Sequence, residues 1–388
     1  MPNFNILEPA PTPVSKPSFL IGWEITMKCN LDCSYCGTGL YDGHNNNTAH
    51  PKLEESLKTI DFMYEYVDQY MQHKSKWSRQ VVLDIYGGEA LFYPGIDNIF
   101  AQVKEKYKPY KDKWSLRVTS TSNLIVGKNL FEKIYDYVDE YTASFHSEST
   151  EKQQEMFRQN LLFLKEKNKS VKVVVLMHPT SGRWEKCIEM IEWCKKQNIR
   201  HSPRQLDHTP SAVHYNYTSE QLDWFKNFWT ENSFGNVSHN IEIPTDAAGK
   251  HDLSQHGRAC CGGRQLCTNQ NYKDRTYYVH GNHFEGWSCS VNWFFMHIKQ
   301  LTGEVFATSK DCKMNFNKEI APIGHLHSKD KILAELKEQF ATNTLPIMTC
   351  AKKKCHCGLC APKAKTEEDL IKIWKLYGDD KVFKTATS

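Results

Sequence analysis

The fold is decided by the stretch Cys29-Asn30-Leu31-Asp32-Cys33-Ser34-Tyr35-Cys36, which directly follows the apolar run 19–26. Its three thiols have C-x3-C-x2-C spacing. Three thiolates on one tight loop can hold three corners of a cubic iron–sulfur cluster, and a missing fourth thiolate leaves one iron open to a non-protein ligand. A zinc knuckle or a redox thiol pair is the alternative that three closely spaced cysteines alone leave open.

Outward from this loop, strand-like and helical segments alternate. The predicted strands are 19–26, 81–86, 115–121, 141–146, 171–178 and 199–206. The predicted helices are 53–71, 96–106, 129–137, 151–167, 183–197 and 219–231. Six β-then-α units require a parallel sheet, which right-handed crossovers curl into an incomplete barrel. The predicted fold is therefore α/β: a partial (β/α)6 TIM-like barrel with a small Cys-rich C-terminal domain.

Glycine and polar residues follow the predicted strands where each one ends, and in such barrels the functional loops follow these carboxyl ends. Gly87-Gly88-Glu89 follows strand two. Two glycines let the backbone approach a ligand closely, and a carboxylate beside them can receive a cationic amine. The other strand-end residues are Ser120, Ser122 and Asn123 after strand three, Ser144 and His146 on strand four, and His178 on strand five.

Composition narrows the class of protein. A net charge of +4 over 388 residues permits an anionic substrate but does not favour a nucleic-acid binder. The chain has no apolar stretch of the roughly 18 residues that a membrane span requires, and no recognisable secretory signal. Fourteen cysteines without such a signal favour metal ligation over disulfides, so we expect a cytoplasmic protein.

The cysteines of the C-terminal third predict further clusters. The division expected from the sequence is a Pro-rich extension 1–17, the barrel 18–232, a connecting segment 233–258, a Cys-rich domain 259–365 and a helix with tail 366–388. Hairpin-like runs precede Cys289 and Cys312, which is how a strand can present a thiolate. The candidate ligands are Cys261, Cys267, Cys289, Cys312, Cys350, Cys355, Cys357 and Cys360. A structural zinc site built from the last four is the alternative.

The Cys loop and the Gly-Gly-Glu motif resemble those of the radical S-adenosylmethionine (radical SAM) superfamily, and the C-terminal region resembles its SPASM and twitch extensions. The resemblance implies that Cys29, Cys33 and Cys36 are the catalytic 4Fe–4S ligands and that one or two auxiliary 4Fe–4S clusters follow. It also implies cofactor-binding roles at strand ends. Gly87, Gly88 and Glu89 would bind the methionine amine of S-adenosylmethionine, and Ser120, Ser122 and Asn123 would contact its ribose. Tyr35 would lie near the adenine. Arg158 would bind the methionine carboxylate, and Ser144 would lie nearby.

The activity implied by this resemblance is reductive cleavage of S-adenosylmethionine to a 5′-deoxyadenosyl radical that abstracts a substrate hydrogen. A peptide or protein side chain is the expected substrate, and a carbohydrate, nucleoside or nucleotide precursor is the alternative. The resemblance further implies an electron donor such as flavodoxin or ferredoxin. A third hypothesis is a non-enzymatic, zinc-stabilised protein that binds nucleic acid.

Overall fold

The computed structural model of the chain describes residues 18–36, 49–73, 79–206, 215–231, 251–252, 271–272, 286–308, 321–342, 347–349, 363–364, 366–368 and 370–371. The barrel strands are β1 Phe19–Thr26, β2 Gln80–Gly87, β3 Ser115–Ser122, β4 Glu140–His146, β5 Ser170–Met177 and β6 Arg200–Gln205. The helices that follow them are α1 Leu53–His73, α2 Ile96–Tyr107, α3 Lys128–Ile134, α4 Glu151–Glu166, α5 Arg183–Lys196 and α6 Ser219–Glu231.

All six predicted β-then-α units are present, and strands β1 to β6 pair in parallel in their order along the chain. This arrangement confirms the predicted partial (β/α)6 TIM-like barrel. Local chemistry sets the helix boundaries. The Thr218 hydroxyl accepts a hydrogen bond from the Gln221 backbone at 3.3 Å and caps α6. Asn168 and Asn198 adopt left-handed φ values of 54° and 51° just beyond α4 and α5, where asparagine commonly ends a helix.

The two faces of the sheet differ in polarity. Alternate residues of β5 such as Val173 and Val175 are fully buried beneath the helices, whereas the residues that alternate with them, such as Lys172 and Val174, are half-buried. The half-buried side chains therefore line the concave inner face. That face is polar, because the Asp84 carboxylate of β2 accepts hydrogen bonds there from two threonines of β3, Thr119 and Thr121.

The C-terminal region contributes three strands to the barrel sheet. They are β10 Phe295–Lys299, β11 Glu304–Phe306 and β12 Gly324–His325. β10 lies parallel to β1, and the nine-stranded order is β12-β11-β10-β1-β2-β3-β4-β5-β6. The hairpin-like run predicted before Cys312 is thus present as β10 and β11, with Gly303 in the left-handed region at φ 74°. This hairpin extends the barrel sheet instead of standing apart from it. Helix α7, Lys329–Thr342, then packs on α1 through Phe340 and Tyr70.

A separate three-stranded sheet surrounds Cys289. The central strand β9, Ser288–Cys289, pairs with β13, Met348–Thr349, on one side and with β14, Lys363–Ala364, on the other. The remaining described strands, β7 His251–Asp252 and β8 Asn271–Tyr272, pair with each other. Among the described residues, none of the helices has the length and apolar character needed to cross a bilayer.

A buried ion-pair cluster lies at the amino ends of the strands. The Glu140 carboxylate pairs with the Arg117 guanidinium of β3 and accepts a hydrogen bond from Arg200 of β6 at 3.1 Å. The Arg117 and Glu140 side chains are only 10% and 9% exposed. Removal of one partner from such a pair leaves an uncompensated buried charge.

We expect Glu140→Gln to lower the free energy of unfolding by about 3–5 kcal/mol, because the buried Arg117 guanidinium keeps its charge but loses the Glu140 carboxylate. Urea denaturation of the metal-free protein measures this change. Glu132→Gln is the matched control, since Glu132 forms an exposed pair with Lys128 at 3.8 Å and should leave the denaturation midpoint unchanged. Equal midpoints for the two variants would contradict a structural role for the buried pair.

Candidate functional site

The three-thiol loop begins at the carboxyl end of β1. Cys33 is buried, and Cys29 and Cys36 are half-buried. A turn joins the last two, because the Cys36 backbone amide donates to the Cys33 carbonyl at 2.9 Å. The Leu31 amide points at the Cys29 sulfur at 3.4 Å. The loop thus presents three free thiols at the edge where the parallel strands end, which is the position predicted from the sequence.

Burial makes these thiols hard to ionise without a metal. It raises the pKa of Cys29 to about 12 and that of Cys36 to about 11, and it raises the pKa of Cys33 further. The thiols also raise one another's pKa values, since each thiolate repels its neighbours. Metal cations favour the thiolate over the thiol, because they bind thiolates directly. The donor set therefore fits a cationic centre that holds three thiolates.

The arrangement of the thiols bears on whether one ion or a cluster would fit. Among the residues that the structure describes, no group of three or more His, Cys, Asp or Glu side chains lies close enough to hold one ion. In a cubic cluster each thiolate binds a different iron, so the sulfurs stand farther apart than around one ion. Three thiols match the three protein ligands of such a cluster, whereas a structural zinc site needs four donors around one atom.

The Gly-Gly-Glu motif is fastened to the start of the Cys loop. The Gly88 amide donates to the Thr26 carbonyl at 2.9 Å, and the Glu89 amide donates to the Lys28 carbonyl at 2.8 Å. The glycines are needed for this approach. A Cβ on Gly88 would lie 2.5 Å from the carbonyl oxygens of both Met27 and Lys28. As the two glycines predict, the backbone at Gly88 passes close to another group, and here that group is the backbone at the start of the Cys loop.

The Glu89 carboxylate is buried and hydrogen-bonded to the end of β3. Its Oε1 accepts from the Ser122 hydroxyl at 2.7 Å and from the Leu91 amide at 2.9 Å. Its Oε2 accepts from the Asn123 amide at 2.6 Å. A carboxylate has about four acceptor positions, so these three bonds leave capacity on Oε2 for one further donor. The amine role predicted for Glu89 fits that remaining capacity.

The predicted ribose-binding residues are used within the protein. Besides its bond to Glu89, the Ser122 hydroxyl accepts from the Leu124 amide at 2.8 Å. The Asn123 side chain donates to Asn30 of the Cys loop at 2.8 Å and points at the Cys29 sulfur at 3.8 Å. Ser120 is fully buried and donates to the Ile85 carbonyl at 3.1 Å. These side chains hold the Gly-Gly-Glu motif and the Cys loop together.

Burial of Glu89 predicts a pH-dependent stability. Burial raises the pKa of this carboxyl from 4.5 to about 7, although the Asn123, Ser122 and Leu91 donors oppose the shift. The folded state then holds the proton more tightly than the unfolded state, so stability is greatest below pH 4.5 and is lost as the pH rises through 7. We expect this loss to amount to about 3 kcal/mol in the metal-free protein.

The test compares urea unfolding of wild type and Glu89→Gln at several pH values. Their difference in unfolding free energy should change between pH 4.5 and pH 7 and stay constant above that window. Glu155→Gln is the control, because Glu155 is exposed on α4 and should reproduce the wild-type profile. A constant difference between wild type and Glu89→Gln across the whole range would contradict the assignment.

Tyr35 and His146 form a pair beside Cys33. The Tyr35 hydroxyl lies 2.6 Å from His146 Nδ1, and the same Nδ1 lies 3.3 Å from the Cys33 sulfur. The two rings are nearly parallel, with centroids 5.9 Å apart. His178 contacts Tyr35 from β5 at a centroid distance of 6.2 Å. Burial lowers the pKa of His146 to about 4, although the Glu148 carboxylate opposes the shift.

Glu148 contacts the Cys loop, and the sequence analysis did not single it out. Both the amide and the hydroxyl of Ser34 donate to its carboxylate at 2.5 Å, and Arg183 forms an ion pair with it. Glu148 therefore joins the Cys loop to the amino end of α5. Its position in the loop after β4 is the signal that could have found it, because that loop borders the predicted site.

Two further predicted cofactor residues lie on α4 and on β4. Arg158 is half-buried on α4, about two turns beyond the amino end of that helix. Burial raises the pKa of the Cys194 thiol of α5 to about 12, and the charge of Arg158 opposes that rise. Ser144 is half-buried on the inner face of β4, two residues before His146.

Of the predicted auxiliary ligands, Cys289 is described and is buried in β9. The others, Cys261, Cys267, Cys312, Cys350, Cys355, Cys357 and Cys360, lie outside the described residues. Cys350, Cys355, Cys357 and Cys360 fall between β13 and β14 in the sequence. Both of these strands pair with β9. The described strands therefore bring the two ends of that segment to Cys289.

An open, mostly parallel sheet with a three-thiol loop after its first strand is the architecture of radical SAM barrels. Comparison with solved structures confirms this fold. Native anSMEcpe with bound AdoMet and a Cp18Cys peptide matches with a TM-score of 0.52 at 13% identity, over 94% of this chain and 96% of that one. Native anSMEcpe with bound AdoMet matches with a TM-score of 0.53 at 13% identity, over 95% and 97%.

The complex of anSMEcpe with AdoMet and a Kp18Cys peptide matches equally well, with a TM-score of 0.52 at 12% identity over 94% and 96% of the two chains. AnSME is an anaerobic sulfatase-maturating enzyme of the radical SAM class with a SPASM domain. No protein-family model matches the sequence, and the search of curated proteins found no match. At this identity, the likeness is one of fold.

Proposed function

We propose that this protein is a radical SAM enzyme that acts on a peptide or protein side chain. The observation that carries the proposal is the three-thiol loop at the carboxyl end of β1, fastened by backbone hydrogen bonds to the Gly-Gly-Glu motif after β2. The fold shared with AdoMet-bound anSMEcpe supports the cofactor, and the peptides in two of those structures support the substrate class.

Cys29, Cys33 and Cys36 would hold the 4Fe–4S cluster, whose open iron would take S-adenosylmethionine. Held there, the cluster would supply the electron for the reductive cleavage of S-adenosylmethionine to methionine and a 5′-deoxyadenosyl radical, which would abstract a substrate hydrogen. The protein's own residues orient these groups. Glu89 offers its remaining acceptor position to the methionine amine, while Asn30 and Asn123 hold the loop that carries Cys29.

The inner face of the barrel would receive the substrate. Its described lining next to the thiol loop is polar and half-buried, with Asp84 held by Thr119 and Thr121 and with Ser144 above them. Polar groups on a rigid sheet can orient a peptide side chain and its backbone amides. The buried ion pair of Glu140 and Arg117 closes the opposite end of the barrel, so the substrate would enter from the edge that carries the thiols.

Auxiliary clusters form part of the proposal. Cys289, together with cysteines of the segments 260–267, 312 and 350–360, would hold one or two auxiliary 4Fe–4S clusters. The pairing of β9 with β13 and β14 supports a shared centre, because it joins both ends of the 350–360 segment to Cys289. A flavodoxin or ferredoxin is the proposed electron donor, and the cytoplasm is the proposed compartment.

The deciding experiment is an assay of iron, labile sulfide and zinc in protein reconstituted without oxygen. We expect about eight or twelve irons per chain with sulfide, that is, the barrel cluster plus one or two auxiliary clusters. Zinc without iron would overturn the enzymatic proposal in favour of a zinc-stabilised binding protein.

The substrate is tested next with a reductant and S-adenosylmethionine. Cys-containing peptides should increase the formation of 5′-deoxyadenosine and should themselves lose hydrogen, measured as the transfer of deuterium from labelled peptide. If sugars or nucleosides increase the formation of 5′-deoxyadenosine and peptides do not, the substrate is a small metabolite and not a peptide.

A further inference from the structure

The turn after β3 contains a backbone conformation that its side chain disfavours. Leu124 is fully buried and has φ 54°, in the left-handed region that leucine rarely adopts. The other non-glycine residues with positive φ in the described part of the chain are Asn168 and Asn198, just beyond the ends of α4 and α5. A strained residue of this kind persists only where its surroundings hold it in place.

Asn160 of α4 holds this turn from one side. Its side-chain amide donates to the Leu124 carbonyl at 2.7 Å and to the Val126 carbonyl at 2.9 Å. Asn160 is only 3% exposed, so water does not compete readily for these bonds. Because both N–H groups of one amide are engaged, a single side chain fixes the carbonyls on either side of Ile125.

The other side of the turn contacts the candidate site. The Ile125 carbonyl accepts from the Asn30 side chain of the Cys loop at 2.6 Å. The two residues before the strained one bind the Glu89 carboxylate, through the Ser122 hydroxyl at 2.7 Å and the Asn123 amide at 2.6 Å. A change of φ in this turn would therefore displace the contact to the Cys loop and the donors that orient Glu89.

We propose that Asn160 is a positioning residue for S-adenosylmethionine, because it holds Leu124 in the strained conformation that keeps the Glu89 carboxylate oriented toward the methionine amine. The inference rests on the proposed function, in which Glu89 receives that amine. Without the two hydrogen bonds from Asn160, the backbone at Leu124 relaxes toward negative φ, and the donors to Glu89 move with it. A binding group needs such support from its neighbours to keep a productive geometry.

The first test measures amide hydrogen exchange in the full chain after reconstitution without oxygen. The amides of residues 123–125 all donate hydrogen bonds within the protein, so they should exchange slowly in the wild type. We expect Asn160→Leu to accelerate exchange in the segment 122–126 by about tenfold, because the turn loses its support from α4.

The second test titrates S-adenosylmethionine into the same reduced protein and follows electron paramagnetic resonance. The barrel cluster is the signal that changes when S-adenosylmethionine is added. We expect Asn160→Leu to raise the concentration for the half-maximal change by about tenfold or more. Iron and sulfide are assayed in every variant, so the comparison is made on clusters that are present.

Leu124→Gly tests the role of the strain itself. Glycine adopts φ 54° without strain, so the turn then needs less support from α4. In the Asn160→Leu background, Leu124→Gly should restore slow exchange and part of the affinity for S-adenosylmethionine, although the loss of a buried leucine lowers stability. A residue with only a structural role predicts two losses of stability and no recovery of affinity.

Gln154→Leu is the matched control. Gln154 is another buried amide of α4, and it donates to the Ser149 carbonyl at 2.8 Å. Its replacement should lower stability and leave the half-maximal concentration of S-adenosylmethionine unchanged. Asn160→Ala leaves room for water beside the freed carbonyls, so it gives a readout if the Leu variant does not fold.

Unchanged exchange in the segment 122–126, or an unchanged half-maximal concentration, in the Asn160 variants would overturn the inference. An equal loss of affinity in Gln154→Leu would also overturn it, because the effect would then belong to α4 as a whole. These results leave the proposed function intact if the wild-type spectrum responds to S-adenosylmethionine. A wild type without any iron–sulfur signal would instead remove the proposed function, and the inference with it.

Discussion

Cys33→Ala should abolish the barrel cluster and, with it, the cleavage of S-adenosylmethionine. Each of the three thiolates binds a different iron, so the loss of one leaves that iron without a protein ligand. Cys33 is also the buried member of the three, and its sulfur lies 3.3 Å from His146 Nδ1. We expect the variant to lose about four irons per chain after anaerobic reconstitution, and 5′-deoxyadenosine formation to fall to background.

Cys194→Ala is the matched control for this experiment. Cys194 is another buried free thiol, but it lies on α5 and its contact is with Met190. Its removal costs packing and should leave iron content unchanged. A Cys33→Ala protein that keeps the wild-type iron content and activity would refute the assignment of the loop as the site of the cluster.

Gly88→Ala is expected to have an effect almost as large, although no atom of Gly88 is a proposed ligand. The added Cβ would lie 2.5 Å from the carbonyl oxygens of Met27 and Lys28, and backbone atoms cannot rotate away as a side chain can. The Cys loop would have to move and break the hydrogen bond between Gly88 and Thr26. We expect at least a tenfold loss of 5′-deoxyadenosine formation and a reduced iron content, because displacements of about 1 Å can cost 10²-fold in rate.

Gly127→Ala separates this effect from the general cost of replacing a glycine. Gly127 precedes α3 at φ −63°, where alanine is unstrained, and a Cβ there meets nothing within 4 Å. It should have the activity and iron content of the wild type. If Gly88→Ala also has wild-type iron content and activity, the close contact between the glycine motif and the Cys loop has no functional role.

Much of the barrel could be predicted from local sequence pattern. The hydrophobic period that places Val173 and Val175 against the helices is visible in the sequence, and it located all six strands to within one or two residues. The strand-end rule likewise placed the Cys loop and the Gly-Gly-Glu motif on one edge of the sheet. These predictions succeeded because they depend on neighbours in the chain.

The rest depended on contacts between distant segments. Nothing local in the run 295–299 indicates that it pairs with β1, since an antiparallel hairpin explains its pattern equally well. Similarly, Ser122 and Asn123 suit a ribose by chemistry, and only the fold shows that they bind the Glu89 carboxylate. Arg158 has the charge expected of a carboxylate ligand, and its role there stays a prediction.

The pairing of β10 with β1 has a consequence for how the chain folds during synthesis. Leu20 pairs with Phe295 and Gly22 with His297, so one side of the first strand has no partner until nearly 300 residues have left the ribosome. An unpaired strand edge is a template for pairing with other chains, and contacts between such distant residues form slowly. The thiol loop adjoins this strand, so its final geometry depends on a segment that is translated long after the loop itself.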